Sequence, residues 1–117
     1  MGRIYFRQIE VGSISAGNTA DGEYTADRDY IIRQIYVKEY TATEIGTRFL
    51  NCTFRVDDYT FTLPETRAEI FDGYRGQVPE LNIDFDKGKT FYYSITNEHS
   101  SSAISPYIVL LLEEKES

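Results

Sequence analysis

"RFLNCTFRVDDYTFTL", residues 48–63, puts Leu50, Cys52, Phe54 and Val56 on one parity and Asn51, Thr53, Arg55 and Asp57 on the other. A period of two with one apolar side is the pattern of a strand buried on a single face. Asp57 and Asp58 separate it from a second alternating run, Tyr59, Phe61 and Leu63. Two residues between such runs is hairpin spacing, although Asp-Asp is a weaker turn signal than Asp-Gly. Paired strands with one apolar side need another layer to cover it, so this stretch already argues for a sheet-on-sheet protein.

The same cadence extends in both directions, and helical periodicity is nearly absent. Toward the N-terminus, "YIIRQIYVKEY" (30–40) is apolar at Ile32, Ile35 and Val37, which share a face only if the strand slips parity; a β-bulge near Arg33 and Gln34 reconciles them. "RIYFRQIEV" (3–11) is a further strand. The Gly-, Ser- and Asp-rich stretch 12–29 is a long connection with a short strand near Tyr24. Toward the C-terminus, 63–80 is the longest break, within which "AEIF" reads as a short strand. "ELNIDF" (80–85) and "TFYYSITN" (90–97) alternate cleanly on either side of a "DKGK" turn.

The last run, "YIVLLLEE" (107–114), is apolar on both parities. A strand buried on one face does not need that. Either it lies mid-sheet under a further layer, or its outer face meets another subunit; the second is favoured, because 117 residues leave little chain to cover it. Tyr107, Val109, Leu110, Leu111 and Leu112 are therefore the expected interface, with Tyr74 and Arg75 of the 72–78 loop as further contact-making side chains. The expected architecture is all-β, a two-sheet antiparallel sandwich of Greek-key or jelly-roll type with about eight strands, spanning residues 1–117 as one domain. An immunoglobulin-like sandwich is the nearest rival.

Composition narrows the function classes. Nineteen acidic against twelve basic residues give a net charge of −7 without a Lys/Arg run, which disfavours nucleic acid and anionic membranes as partners. Cys52 is the only cysteine, so no intrachain disulfide forms, and at an apolar-parity position a thiol behaves as a small hydrophobe. The longest apolar run is far too short to span a bilayer, and the first residues carry no signal-peptide pattern, so a cytoplasmic protein is expected. Ten Tyr, seven Phe and no Trp suit half-wet sheets and contact surfaces.

Chemistry-bearing constellations are sparse. His99 is the sole histidine, in "NEHSSSAIS", without a nucleophile-elbow motif beside it. One imidazole is too few for cupin or blue-copper metal centres. Asp84, Asp86 and Gly88 resemble the opening of a calcium loop, but the acidic residue that closes such a loop is missing, so no metal and no cofactor is expected. Asp57 and Asp58 join an ion site only if folding brings Asp72 to them. "NCT" (51–53) matches a glycosylation sequon at an unfavourable mid-strand position. Tyr24, Tyr30, Tyr36, Tyr40, Tyr92 and Tyr107 are candidates for a sugar-stacking platform.

The stretches "YTADRDYIIRQIYVKEYT" and "ELNIDFDKGKTFYYSITN…YIVLLLEE", about half the chain, resemble the small single-domain β-sandwiches and jelly-rolls of virus and phage particles, capsid decoration or minor capsid proteins. That resemblance implies a virion component assembled in the host cytoplasm, docking on identical copies or a shell protein as a homo-oligomer, with no catalytic residues to carry over. The expectation is a non-enzymatic structural and interaction module; the alternative is a carbohydrate-binding module with tyrosine platforms, assisted by calcium at Asp84 and Asp86.

Overall fold

In the computed structural model, which describes residues 2–40, 46–63, 66–73 and 77–116, the chain forms eight strands. They are β1 (Ile4–Glu10), β2 (Thr19–Thr25), β3 (Tyr30–Glu39), β4 (Leu50–Val56), β5 (Tyr59–Thr60), β6 (Ile83–Phe85), β7 (Thr90–Asn97) and β8 (Pro106–Glu114). All pairings are antiparallel and nested: β1 with β8, β2 with β7, β3 with β6 and β4 with β5. Further ladders join β3 to β8 and β4 to β7. The result is a first sheet ordered β1-β8-β3-β6 and a second ordered β2-β7-β4-β5. That order is a jelly roll, a folded-over ribbon rolled into two layers.

Local chemistry explains the strand limits. The hairpin after β4 turns in two residues, Val56 lying opposite Tyr59, with Asp57 at φ 49°, a left-handed conformation that Asp tolerates better than most residues. The second arm is shorter than its alternation suggests, because beyond Phe61 N, which still donates to Phe54 O at 3.2 Å, a side chain takes over the return bond: Thr62 Oγ1 accepts from Phe54 N at 2.8 Å. In β3 the register shifts between Ile32 and Gln34, as the parity slip requires. The bulge turns Arg33 outward, where it donates to Glu113 of β8 (3.0 Å) and to Asn82 ahead of β6 (2.8 Å). Three segments are thereby tied at one point.

"AEIF" is not a strand. Ala68–Phe71 forms a single 3₁₀ turn that buries Ala68 and Phe71, and a spacing of three puts both on one side of such a turn. Phe71 then meets Phe54 edge-on at 5.4 Å.

The core lies between the sheets. Ile32, Ile35, Val37, Phe85, Ile108, Leu110 and Leu112 from the first face Leu50, Cys52, Phe54, Phe91 and Ile95 from the second, all essentially inaccessible. Each of the aliphatic and aromatic side chains among them contributes about 1.5–3 kcal/mol by burial. Rings pack within and between the layers: Phe54 lies 5.5 Å from Phe91 inside the second sheet, and Tyr24 of the second sheet lies 6.0 Å from Phe85 of the first. Asn97, buried at the end of β7, satisfies its whole amide. Its Nδ2 donates to the carbonyls of Ile14 and Ser102, and its Oδ1 accepts from His99 N. No helix among the described residues is long and apolar enough to cross a membrane.

Candidate functional site

Alternation along β8 sorts the doubly apolar run. Ile108, Leu110 and Leu112 point inward, and Tyr107, Val109 and Leu111 point out. Leu110 and Leu112, expected at an interface, are 0% and 1% exposed and belong to the core, because β8 runs mid-sheet and its even parity closes the sandwich. Tyr74 and Arg75, the other expected contacts, lie outside the described residues.

The outward side chains of β8 have neighbours of the same kind. Phe6, Gln8 and Glu10 of β1 stand opposite Leu111, Val109 and Tyr107 on one side. Gln34, Tyr36 and Lys38 of β3 stand opposite the same three on the other. Phe6 is 69% and Ile4 46% exposed, the largest unshielded apolar groups on this sheet. At one end Tyr40 stacks on Tyr107 (4.6 Å), donates to Glu10 (2.8 Å) and accepts from Gln8 (3.1 Å); the Glu10 carboxylate beside it raises its hydroxyl pKa. At the other end Arg33 holds Glu113 below the usual carboxylate range. An apolar centre between polar ends is the composition of a contact surface. Alternation of β1 and β8 together was the signal that points to Phe6 and Ile4; β8 considered alone missed them.

The outer face of the second sheet is of another kind. Thr19, Asp21, Glu23 and Thr25 of β2, Thr90, Tyr92, Ser94 and Thr96 of β7, and Thr53 and Arg55 of β4 cover it with hydroxyls and charges. Thr19 and Thr96 share a hydrogen bond of 2.7 Å, Thr25 and Thr90 one of 3.0 Å. A shallow concavity of about 420 Å³ lies over Asp21, Glu23, Thr53, Arg55, Tyr92 and Ser94. The Arg55 guanidinium sits 3.7 Å above the Tyr92 ring and occupies the face a sugar would stack on.

The remaining candidates are engaged elsewhere. Asp84 and Asp86 are brought together, but around the Lys115 ammonium, at 2.9 and 2.8 Å. Donation from Lys115 lowers the Asp84 pKa, and the two carboxylates raise that of Lys115. A lysine thus stands where a calcium ion would. Asp57 binds Thr90 N, whereas Asp72 accepts from Lys38 and Thr47, so the three aspartates do not converge. Nδ1 of His99 accepts from the backbone amides of Ser101 and Ser102, which places the imidazole proton on Nε2, and the ring packs edge-on against Phe49 at 4.8 Å. No seryl hydroxyl is its partner in these contacts. Cys52 is buried, its Sγ 3.7 Å from the Thr66 carbonyl, and burial pushes the thiol up to about 12.

Of the six tyrosines considered for a platform, Tyr30 is buried, donates to Asp27 and has its hydroxyl pushed up to about 12, mainly by burial. Tyr24 carries the Arg7 guanidinium at 5.0 Å, and Tyr36 donates to Gln34. Only Tyr40 and Tyr107 form a stacked pair on a surface.

The sequence matches no protein-family model, and comparison with curated proteins returns no related sequence.

Proposed function

We propose that the protein is a non-enzymatic assembly module that associates with identical copies through the outer face of its first sheet. The observation that carries this reading is Phe6, an apolar ring 69% exposed on β1, standing beside the half-buried Leu111 and Val109 in one outward stripe. Burying such a stripe is favourable by roughly 25 cal/mol per Å² of apolar surface, and a standard interface takes about 800 Å² from each partner. A role as a virion decoration or minor capsid protein, repeating this contact over a shell, is the finer form of the proposal. It rests on the resemblance of 24–41 and 80–114 to such proteins, and repetition would add avidity.

The test is mass by light scattering over a concentration series, for the wild type and for Phe6→Asp and Leu111→Asp. The expected outcome is a concentration-dependent oligomer that either substitution reduces to a monomer of unchanged circular dichroism. A wild type that stays monomeric at the highest concentration reached overturns the proposal.

A carbohydrate-binding role is the second reading, favoured by the concavity over Asp21, Glu23 and Arg55, whose charged groups match sugar hydroxyls. Binding on a glycan array that is lost in Arg55→Ala supports it, and a flat array removes it.

A further inference from the structure

We infer that two copies join along β1, antiparallel and centred on Phe6, so that the two first sheets become one eight-stranded sheet. This rests on the self-association proposed above and adds to the face contact a second one along the edge of the same sheet. The first observation concerns backbone direction. Glu114 N donates to Arg3 O and Val11 N donates to Pro106 O, so at both ends of β1 the odd-numbered residues turn their backbone toward β8. The register between them is unbroken, and backbone groups alternate sides along a strand. Ile4, Phe6, Gln8 and Glu10 therefore direct their N–H and C=O groups to the open margin. None of the four backbones takes part in a hydrogen bond recorded among the described residues.

The second observation is the contrast with the other long margin. In β2, Ala26 N donates to Lys89 O, so the residues with free backbone are Thr19, Asp21, Glu23 and Thr25. Any antiparallel self-pairing centred on residues 21–23 sets one carboxylate opposite another. Charged side chains are how natural sheets keep an edge from pairing. On β1 the corresponding side chains are Ile4, Phe6, Gln8 and Glu10, with a single charge at one end. β6 and β5, the remaining margins, are three and two residues long.

The third observation selects the register. Paired residues must share a face, so the two-fold axis passes through a residue. Centred on Arg7, the pairing opposes Arg7 to its own copy; centred on Tyr5, it opposes Arg3 to Arg7. Like charges directly opposite one another are destabilising. Centred on Phe6, it sets Phe6 against Phe6, Ile4 against Gln8 and Tyr5 against Arg7, with no like-charge pair; centring on Gln8 also avoids one but sets the Phe6 ring against the Glu10 carboxylate. The contact is isologous and closes at two copies. It also moves Phe6 from the rim to the middle of an apolar face twice as wide.

The experiment mixes full-length Ile4→Cys and Gln8→Cys proteins under oxidised glutathione. Hydrogen-bonded antiparallel partners lie about 5.5 Å apart at Cα, within disulfide reach. Cys52 is buried and does not compete. The expected result is a disulfide dimer in the mixture well above that formed by either protein alone. Gln8→Pro, which removes a donor from the margin but none from the β1–β8 ladder, is expected to weaken association about tenfold or more with the melting curve retained. If the wild type associates but the mixture shows no preferential cross-link, edge pairing is overturned and the face contact stands. If the wild type never associates, both fall.

Discussion

The two sheets are alike inside and unlike outside. Both inner faces are closely packed aliphatic and aromatic layers. Yet one outer face carries Phe6, Val109, Leu111 and Tyr36, and the other carries Asp21, Glu23, Thr53, Ser94 and Arg55. Since the interior demands the same of each, the difference records what each exterior meets. The second sheet is built for water, with threonine pairs and a guanidinium stacked on a tyrosine. The first leaves apolar side chains at its surface, as the proposed contact needs. The same division runs along the two long edges, one guarded by carboxylates and one not.

The sharpest way to break this comparison uses adjacent residues of β8. Leu110→Asp buries a charge in the core and is expected to cost more than about 4 kcal/mol, enough to unfold most of the chain, whereas Leu111→Asp leaves the denaturant midpoint nearly unchanged and alters only the mass. Equal effects on stability would show that the outer face is also core. Next in size is alkaline loss of stability. Cys52 and Tyr30 both hold their protons more tightly folded than unfolded, from ordinary values of 9.0 and 10.0 up to about 12. Their contribution is complete below pH 9 and declines as pH rises toward 12, by up to roughly 4 kcal/mol for the thiol. Urea midpoints across that range measure it, and Cys52→Ala should flatten the decline.

Gly22→Ala probes how tightly the wet sheet is drawn over its own ring. A Cβ there would meet the Tyr93 ring, at 2.1 Å from Oη and 2.3 Å from Cζ, so a loss of about 1–3 kcal/mol in a thermal melt is expected. The smallest effect belongs to the centre of that sheet's outer face: Thr53→Ala should shift stability by no more than about 0.5 kcal/mol and leave the mass unchanged. A change in oligomer mass would mean that the second sheet, too, is a contact.

What was legible in the sequence was whatever the local period dictates. The slip around Arg33 and Gln34 revealed the bulge, "TFYYSITN" is β7 to the residue, and Val56 to Tyr59 is the hairpin. What was not legible depends on partners far along the chain. "TADGEYT" has little strand propensity, and it is a seven-residue strand because β7 pairs with it and the Tyr93 ring lies over Gly22. Asp84 and Asp86 resemble the start of a cation loop until Lys115 arrives beside them from beyond β8. The parity of "YIVLLLEE" was ambiguous because both of its sides are greasy, so Leu110 and Leu112 fell on the wrong face until β1 and β3 were seen to flank the strand.

The nesting of first strand with last has a consequence for biosynthesis. β8 is the last of the eight to leave the ribosome, and it is the strand that separates β1 from β3. Until it is translated, the first sheet has a gap where β8 belongs: β1 has no ladder at all and β3 has only its short one with β6. Folding of this layer therefore waits for β8, and the cell meets the unfinished form at every round of synthesis.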